Sequence, residues 1–113
     1  MLKPFFIRHK RLLKRIDPQK VVGLFTKKNY TQILLSNFKS YEIRSSLTSA
    51  FKKLPPEMFV RIDRTTVVSI YFIDDIARDH LVVGAGRMGR KKELFKIGKK
   101  FYKPAISKLN IIE

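Results

Sequence analysis

The sequence predicts a mostly-β domain that contains many short strands, one small helix and a basic C-terminal helix. Short apolar runs alternate with polar residues along most of the chain, and a period of two is typical of half-buried strands. Helical spacing of apolar residues occurs in only two places, after Ser45–Ser46 and near the C-terminus. Of the 113 residues, 44% are hydrophobic and 12% are aromatic, so the chain can bury the core of one domain.

Polar turns separate the strands that are predicted in the N-terminal half. Asp17-Pro18-Gln19-Lys20 is typical of a turn, and Lys27-Lys28-Asn29 interrupts the next apolar run. The strands predicted around these breaks are residues 5–16, 21–26, 30–36 and 41–44.

A short helix is predicted to follow the fourth strand and to end near Lys53. Ser45 or Ser46 can cap its N-terminus, and the pair Pro55-Pro56 stops it. Its apolar stripe consists of Leu47, Ala50, Phe51 and Leu54.

Two strands joined by a polar turn are the clearest pattern of the second half. Val60 and Ile62 alternate with Arg61 and Asp63, and a second apolar run begins at Val67. The elements predicted from here on are strands 59–63 and 67–70, a hairpin of 73–78 and 81–83 around Asp79-His80, a strand 93–97 and a helix 99–109. No linker or repeat divides the chain, so we treat residues 1–113 as a single domain with its core at about 5–109.

The formal net charge of +16 favours a polyanionic partner. It arises from 25 Lys and Arg against 9 Asp and Glu, and the basic residues concentrate in segments 1–28 and 87–108. A compact domain with this charge repels itself unless a polyanion is near, which makes nucleic acid the default partner. No basic amphipathic helix supports a membrane surface as the alternative.

Composition also argues against several other classes of protein. The chain has no cysteine and only two histidines, His9 and His80, so we expect no disulfides, no metal site and no other cofactor. Asp74, Asp75 and Asp79 read as solvated acids, and no serine–histidine–acid set indicates an enzyme. No apolar run approaches the roughly 20 residues that span a bilayer, and no export signal is apparent, so we expect a cytoplasmic protein without a membrane partner.

Three polar clusters interrupt the apolar strands and carry the donors that read DNA grooves. They are residues 27–31, 63–65 and 98–100, and each alone is also compatible with an ordinary solvated turn. Arg64 lies at the tip of a turn between two strands, where its planar fork could meet guanine O6 and N7 at low entropic cost. The lysines of the other clusters are suited to phosphates.

The order of these motifs resembles the LytTR-type DNA-binding domain of bacterial transcription regulators. The resemblance rests on Asn29-Tyr30-Thr31 between two strands, on a helix that ends Leu54-Pro55, and on the segment from Phe59 to Val68 that contains Arg61 and Arg64. It implies an elongated stack of small antiparallel sheets whose loops enter successive major grooves of duplex DNA. It also implies a role in two-component systems and allows a second copy on repeated sites. Members of the family are often fused to a receiver domain or a membrane sensor, and the sequence does not decide between a free-standing regulator and a fragment of such a protein.

The resemblance assigns three groups of contacts to this sequence. Lys28, Asn29 and Thr31 fall on the first loop, Arg64 is the central base reader, and Lys99-Lys100 stand where the family has an Arg-Arg pair. Three positions depart from the family pattern, namely Phe25 in place of a glutamate, Asp63 in place of a histidine and Gly98 in place of a serine. The predicted DNA-binding residues are Lys28, Asn29, Thr31, Arg61, Arg64, Thr65, Lys99 and Lys100.

Two alternatives remain open at the level of sequence. The basic charge would also suit an RNA-binding or ribosome-associated module. The run Gly84-Ala-Gly86-Arg-Met-Gly89 matches the dinucleotide fingerprint, which would indicate a nucleotide-using enzyme. That fingerprint needs a following helix and an acid about 20 residues on, whereas the next acid is Glu93, so we expect a glycine-rich hairpin or loop instead.

Overall fold

Antiparallel sheets make up most of the molecule, as the sequence predicts. The computed structural model describes residues 3–84 and 92–113, and this part of the chain measures 47 × 29 × 29 Å along its principal axes. Its strands are β1 (Phe5–His9), β2 (Leu12–Ile16), β3 (Val21–Thr26), β4 (Thr31–Leu35), β5 (Ser40–Ile43), β6 (Phe59–Asp63), β7 (Thr66–Ser69), β8 (Ile73–Ile76), β9 (His80–Val83) and β10 (Glu93–Lys96). The helices are α1 (Leu47–Lys53) and α2 (Lys99–Ile106), with single 3-10 turns at Pro18–Lys20 and Ile70–Phe72.

A five-stranded sheet of order β5-β4-β3-β7-β6 forms the centre of the fold. The hairpin β1–β2 forms a second sheet, and β10-β9-β8 forms a third. Strand β3 pairs with β4 on one side and with β7 on the other, so the two halves of the chain share one sheet.

Two hydrophobic cores lie on opposite faces of the central sheet. Successive residues of β7 divide between them, since Val67 packs with α1 and the hairpin while Val68 packs with the three-stranded sheet and α2. This division explains why the central strands contain consecutive apolar residues, because both of their faces are buried. The first core includes Leu24, Ile33, Leu47 and Phe59, and the second includes Val60, Ile62, Leu81 and Ala105.

The hairpin β1–β2 corrects the prediction of one long strand at residues 5–16. The chain reverses at Lys10 and Arg11, which have positive φ angles of 49° and 67°. A two-residue reversal of this kind normally carries Asn or Gly, and neither is present. The continuing alternation of apolar and basic residues therefore concealed the turn.

Helix α1 confirms the predicted cap and stop. The Ser46 hydroxyl oxygen accepts a hydrogen bond from the Ser49 N–H at 3.1 Å, and the helix ends before Pro55. Helix α2 starts at Lys99 as predicted but ends at Ile106 rather than at 109. In the described part of the chain, we find no helix with the length and apolar character that a membrane crossing requires.

Candidate nucleic-acid interface

Backbone hydrogen bonds bring the three predicted segments to one end of the central sheet. The Thr26 N–H, at the start of the first loop, donates to the Thr65 carbonyl at 2.9 Å. The Gly98 N–H, just before α2, donates to the Ile62 carbonyl at 2.8 Å. Loop 27–30, turn 63–65 and the start of α2 are therefore adjacent, and β6 and β7 join them.

The turn at residues 63–65 is held by its own polar side chains. One carboxylate oxygen of Asp63 accepts hydrogen bonds from the Thr65 N–H at 2.8 Å and from the Thr65 hydroxyl at 3.0 Å. The bond from the N–H is an Asx turn, in which a side chain takes the place of a backbone acceptor. Asp63 thus stabilises the turn that carries Arg64.

Arg61 fixes the same turn from the neighbouring strand. Its Nε donates to the Asp63 carbonyl at 3.1 Å, and one Nη donates to the Arg64 carbonyl at 2.8 Å. Its other Nη donates to the Thr48 hydroxyl on α1 at 2.8 Å, and the guanidinium carbon lies 6.0 Å from the centre of the Phe101 ring. Each of the three guanidinium nitrogens thus donates one hydrogen bond within the protein, which makes Arg61 a support for the turn.

The side chain of Arg64 is exposed and available for binding. Within residues 3–84 and 92–113, its guanidinium makes no hydrogen bond or ion pair, while its carbonyl is held by Arg61. Its backbone is therefore fixed while its charged fork projects into solvent, and this arrangement suits recognition of a paired acceptor.

The first loop combines exposed donors with a buried anchor. Lys28 and Asn29 are exposed, and the Lys27 N–H donates to the Tyr30 carbonyl at 2.9 Å. Thr31 is only 1% exposed, and its hydroxyl donates to the Ser45 carbonyl at 2.7 Å. The hydroxyl thus joins β4 to the segment before α1, and the DNA contact of Thr31 stays a prediction.

Lys99 and Lys100 are exposed at the first two positions of α2. Cations at a helix N-terminus oppose the helix dipole, so they contribute little to the stability of the helix there. They lie beside the turn of Arg64, because the Gly98 N–H donates to the Ile62 carbonyl of β6.

A groove of about 460 Å³ separates the first loop from the turn of Arg64. Its walls come from loop 27–30, from the start of α1 and from strand β6, and Arg44, Arg61 and Arg64 all line it. Sequence reasoning missed Arg44, because nothing in the pattern shows that the end of β5 faces the loop after β3.

Tyr30 and Asp79 have pKa values that depart from the ordinary values of these groups. The pKa of the Tyr30 phenol is raised by its desolvation and by the Glu42 carboxylate. The pKa of Asp79 is lowered, chiefly by a hydrogen bond to His80 at 2.8 Å.

No group of His, Asp or Glu in the described ranges converges on a metal position. Of the glycine run 84–89, all but Gly84 lies outside the described residues.

These observations define a basic domain with exposed cations at one end of a β scaffold, and comparison with known proteins gives its family. A model of the LytTr DNA-binding domain matches residues 11–103, so the chain belongs to the LytTR family of DNA-binding domains. This match supports DNA binding, and the family domain is a DNA-binding rather than a catalytic one.

The fold is also similar to a solved structure. It is the LytTr DNA-binding domain of a Bacillus cereus protein described as a methyl-accepting/DNA response regulator, with a TM-score of 0.72 and 14% sequence identity. The alignment covers 98% of this chain and 100% of that chain, and at this identity it shows a shared fold. A search of curated proteins gave no match.

Proposed function

We propose that this domain binds duplex DNA sequence-specifically in the bacterial cytoplasm and that its loops read successive major grooves. The observation that carries this proposal is the exposed guanidinium of Arg64 on a turn that Arg61 and Asp63 fix. A donor pair that is already oriented loses little entropy on binding, so it can distinguish a correct base from a wrong one.

The neighbouring segments would supply affinity and register. Lys28 on the first loop and Lys99-Lys100 on α2 flank the turn and are exposed, which suits contacts to phosphates. Asn29 has the amide that pairs with adenine N6 and N7. Arg44 lines the groove between loop and turn and adds a further cation.

Three of the predicted contact residues have a different role in this proposal. Arg61 and Thr31 position the loops, because their polar groups already bond to other parts of the protein. The hydroxyl of Thr65 donates to Asp63 and helps to close the turn. Their substitution would change recognition through the geometry of Arg64 and the first loop.

The proposal is tested by titrating Arg64→Ala against a preferred duplex and a random-sequence duplex of equal length. We expect a loss of about 1–3 kcal/mol on the preferred site and a smaller loss on random DNA. Arg15→Ala is the matched control, since it removes the same charge from an exposed position on β2.

Equal losses on both duplexes for Arg64→Ala would show that Arg64 only contacts phosphate, and this would contradict base reading. A structured RNA of equal length serves as competitor. Displacement of the preferred duplex by that RNA at equal concentration would contradict a preference for DNA.

A further inference from the structure

A second groove lies between the hairpin β1–β2 and the β5 edge of the central sheet, and it adjoins the first groove at Arg44 and Ser45. Its volume is about 940 Å³, and consecutive residues of both neighbouring strands line it, Phe5–His9 from β1 and Ser40–Ile43 from β5. Side chains alternate between the two faces of a strand. A wall of consecutive residues therefore presents the edge of a strand, including its backbone groups.

Both of these strand edges are unpaired in the described part of the chain. Strand β1 pairs only with β2, and β5 pairs only with β4. An unpaired edge offers a row of N–H and C=O groups to any extended chain, and folded proteins normally cover or block such edges. Here the ring of His9 meets the ring of Tyr41, with 5.0 Å between centroids, at one place along the groove.

The floor of the groove is apolar, and its rim is cationic. Its accessible apolar surface comes from the half-buried side chains of Phe5, Tyr41 and Ile43, which pack against the first core. The cations of the rim are Arg8, Lys10, Arg11, Arg44 and Lys53, and the single carboxylate among the lining residues is Glu42. This combination suits a chain that alternates apolar and acidic side chains.

We propose that this groove binds an extended acidic segment of a partner protein as an added β-strand. Backbone hydrogen bonds to the free edge of β5 or β1 would supply affinity, while the apolar floor and cationic rim would select side chains. Phosphates gain nothing from an apolar floor, and the carbonyls of a strand edge repel them, so an extended peptide fits this groove better than a nucleic acid. The proposal does not rest on the DNA-binding function of the other groove, although the two grooves share Arg44 and Ser45.

The experiment is a selection of twelve-residue peptides from a random displayed library on the domain. Peptides that also bind the rim variant Arg8→Glu/Lys53→Glu are removed. Both side chains are exposed, and their reversal leaves three cations and three carboxylates among the lining residues, so the rim loses its net positive charge. We expect recovery of net-acidic sequences with alternating apolar residues. A synthetic representative should bind the domain at least tenfold more tightly than it binds the rim variant.

Amide hydrogen exchange identifies where the peptide lies. We expect the recovered peptide to protect amides of residues 5–9 or 40–43, and we expect Arg64→Ala to bind it as tightly as the unsubstituted domain. The neutral variant Arg8→Gln/Lys53→Gln replaces the reversal if the latter melts at a lower temperature than the unsubstituted domain.

Three results would overturn the proposal. They are failure to enrich any peptide, enrichment of sequences without acidic residues, and protection confined to other segments. A fourth is a rim variant that loses duplex DNA binding as strongly as Arg64→Ala and yields no peptide, because the groove would then belong to the DNA interface.

Discussion

The turn at residues 63–65 and the loop at residues 27–30 lie at the same end of the central sheet, yet they are held to different degrees. Asp63 and Arg61 bond directly to the turn through its N–H, hydroxyl and carbonyl groups. The loop has one internal backbone bond, from the Lys27 N–H to the Tyr30 carbonyl, and is anchored at its end by Thr31.

We infer from this difference that the turn and the loop contribute differently to DNA binding. A rigid turn can present one guanidinium in a fixed orientation, and such a donor discriminates between bases. A loop with fewer restraints can adjust its lysines to phosphates along the backbone, which favours affinity without sequence preference. The following substitutions test whether the turn discriminates between bases while the loop contacts phosphates, from the largest expected effect to the smallest.

Arg61→Lys removes the support of the turn while it keeps the charge. A lysine cannot make the three separate bonds of the guanidinium fork, so the carbonyls of residues 63 and 64 lose their donors. We expect the free energy of unfolding to fall by about 2–3 kcal/mol. Binding of the preferred duplex should weaken about tenfold, while binding of random DNA stays the same. Equal weakening on both duplexes, measured by titration beside urea unfolding, would refute the positioning role.

Thr31→Val removes a buried hydroxyl without changing the shape of the side chain. The Ser45 carbonyl then loses the donor that lies 2.7 Å away, and we expect the free energy of unfolding to fall by about 1–3 kcal/mol. Urea unfolding measures this loss. The exposed residue Thr26 provides the control, since Thr26→Val should change stability by less than about 0.5 kcal/mol. Unchanged stability together with weaker DNA binding would instead show that Thr31 contacts DNA.

Asp63→Asn and Asp63→Ala separate the turn-forming role of this residue from its charge. Asparagine keeps the oxygen that accepts from Thr65, so we expect discrimination between duplexes to survive and affinity for both to rise slightly. Alanine removes the acceptor, and we expect it to lose about 1 kcal/mol of discrimination. Titrations of both duplexes measure these effects. If both variants behave alike, Asp63 acts through its charge.

Lys28→Ala and Lys99→Ala test the phosphate contacts. Each should reduce the slope of log affinity against log salt concentration by about 0.9 and weaken both duplexes equally. Lys39→Ala is the control, since residue 39 follows β4 at the other end of the sheet and is exposed there. A greater loss on the preferred duplex than on random DNA would assign base contacts to these lysines.

The sequence predicted the fold well because the strong signals are local. The alternation around Val60 and Ile62 and the cap at Ser46 each depend on neighbouring residues, and the structure confirms both elements. The division of core residues between two faces could not be predicted, since it depends on which strands pair. The hairpin turn at Lys10-Arg11 was missed because its residues carry no turn signal.

The candidate site was predicted only in part. The sequence identified the three segments, and two backbone bonds bring them together at one end of the sheet. It identified Arg64 as the central base reader but did not reveal that Arg61 supports the turn, because Arg61 bonds to a partner as far as 13 positions away in the chain. The burial of Thr31 and the position of Arg44 in the first groove likewise depend on which strands pair in the folded protein. The residue pattern of a single strand does not carry that information.

Selection of bound sequences from a random duplex pool, done in parallel with the unsubstituted domain and Arg64→Ala, tests base reading by the fixed turn most directly. We expect the unsubstituted domain to enrich a defined motif, with spaced repeats if two copies bind. Arg64→Ala should enrich the same motif but show no base preference at one or two of its positions. Recovery of an identical motif at equal strength by both proteins would contradict a base-reading role for Arg64.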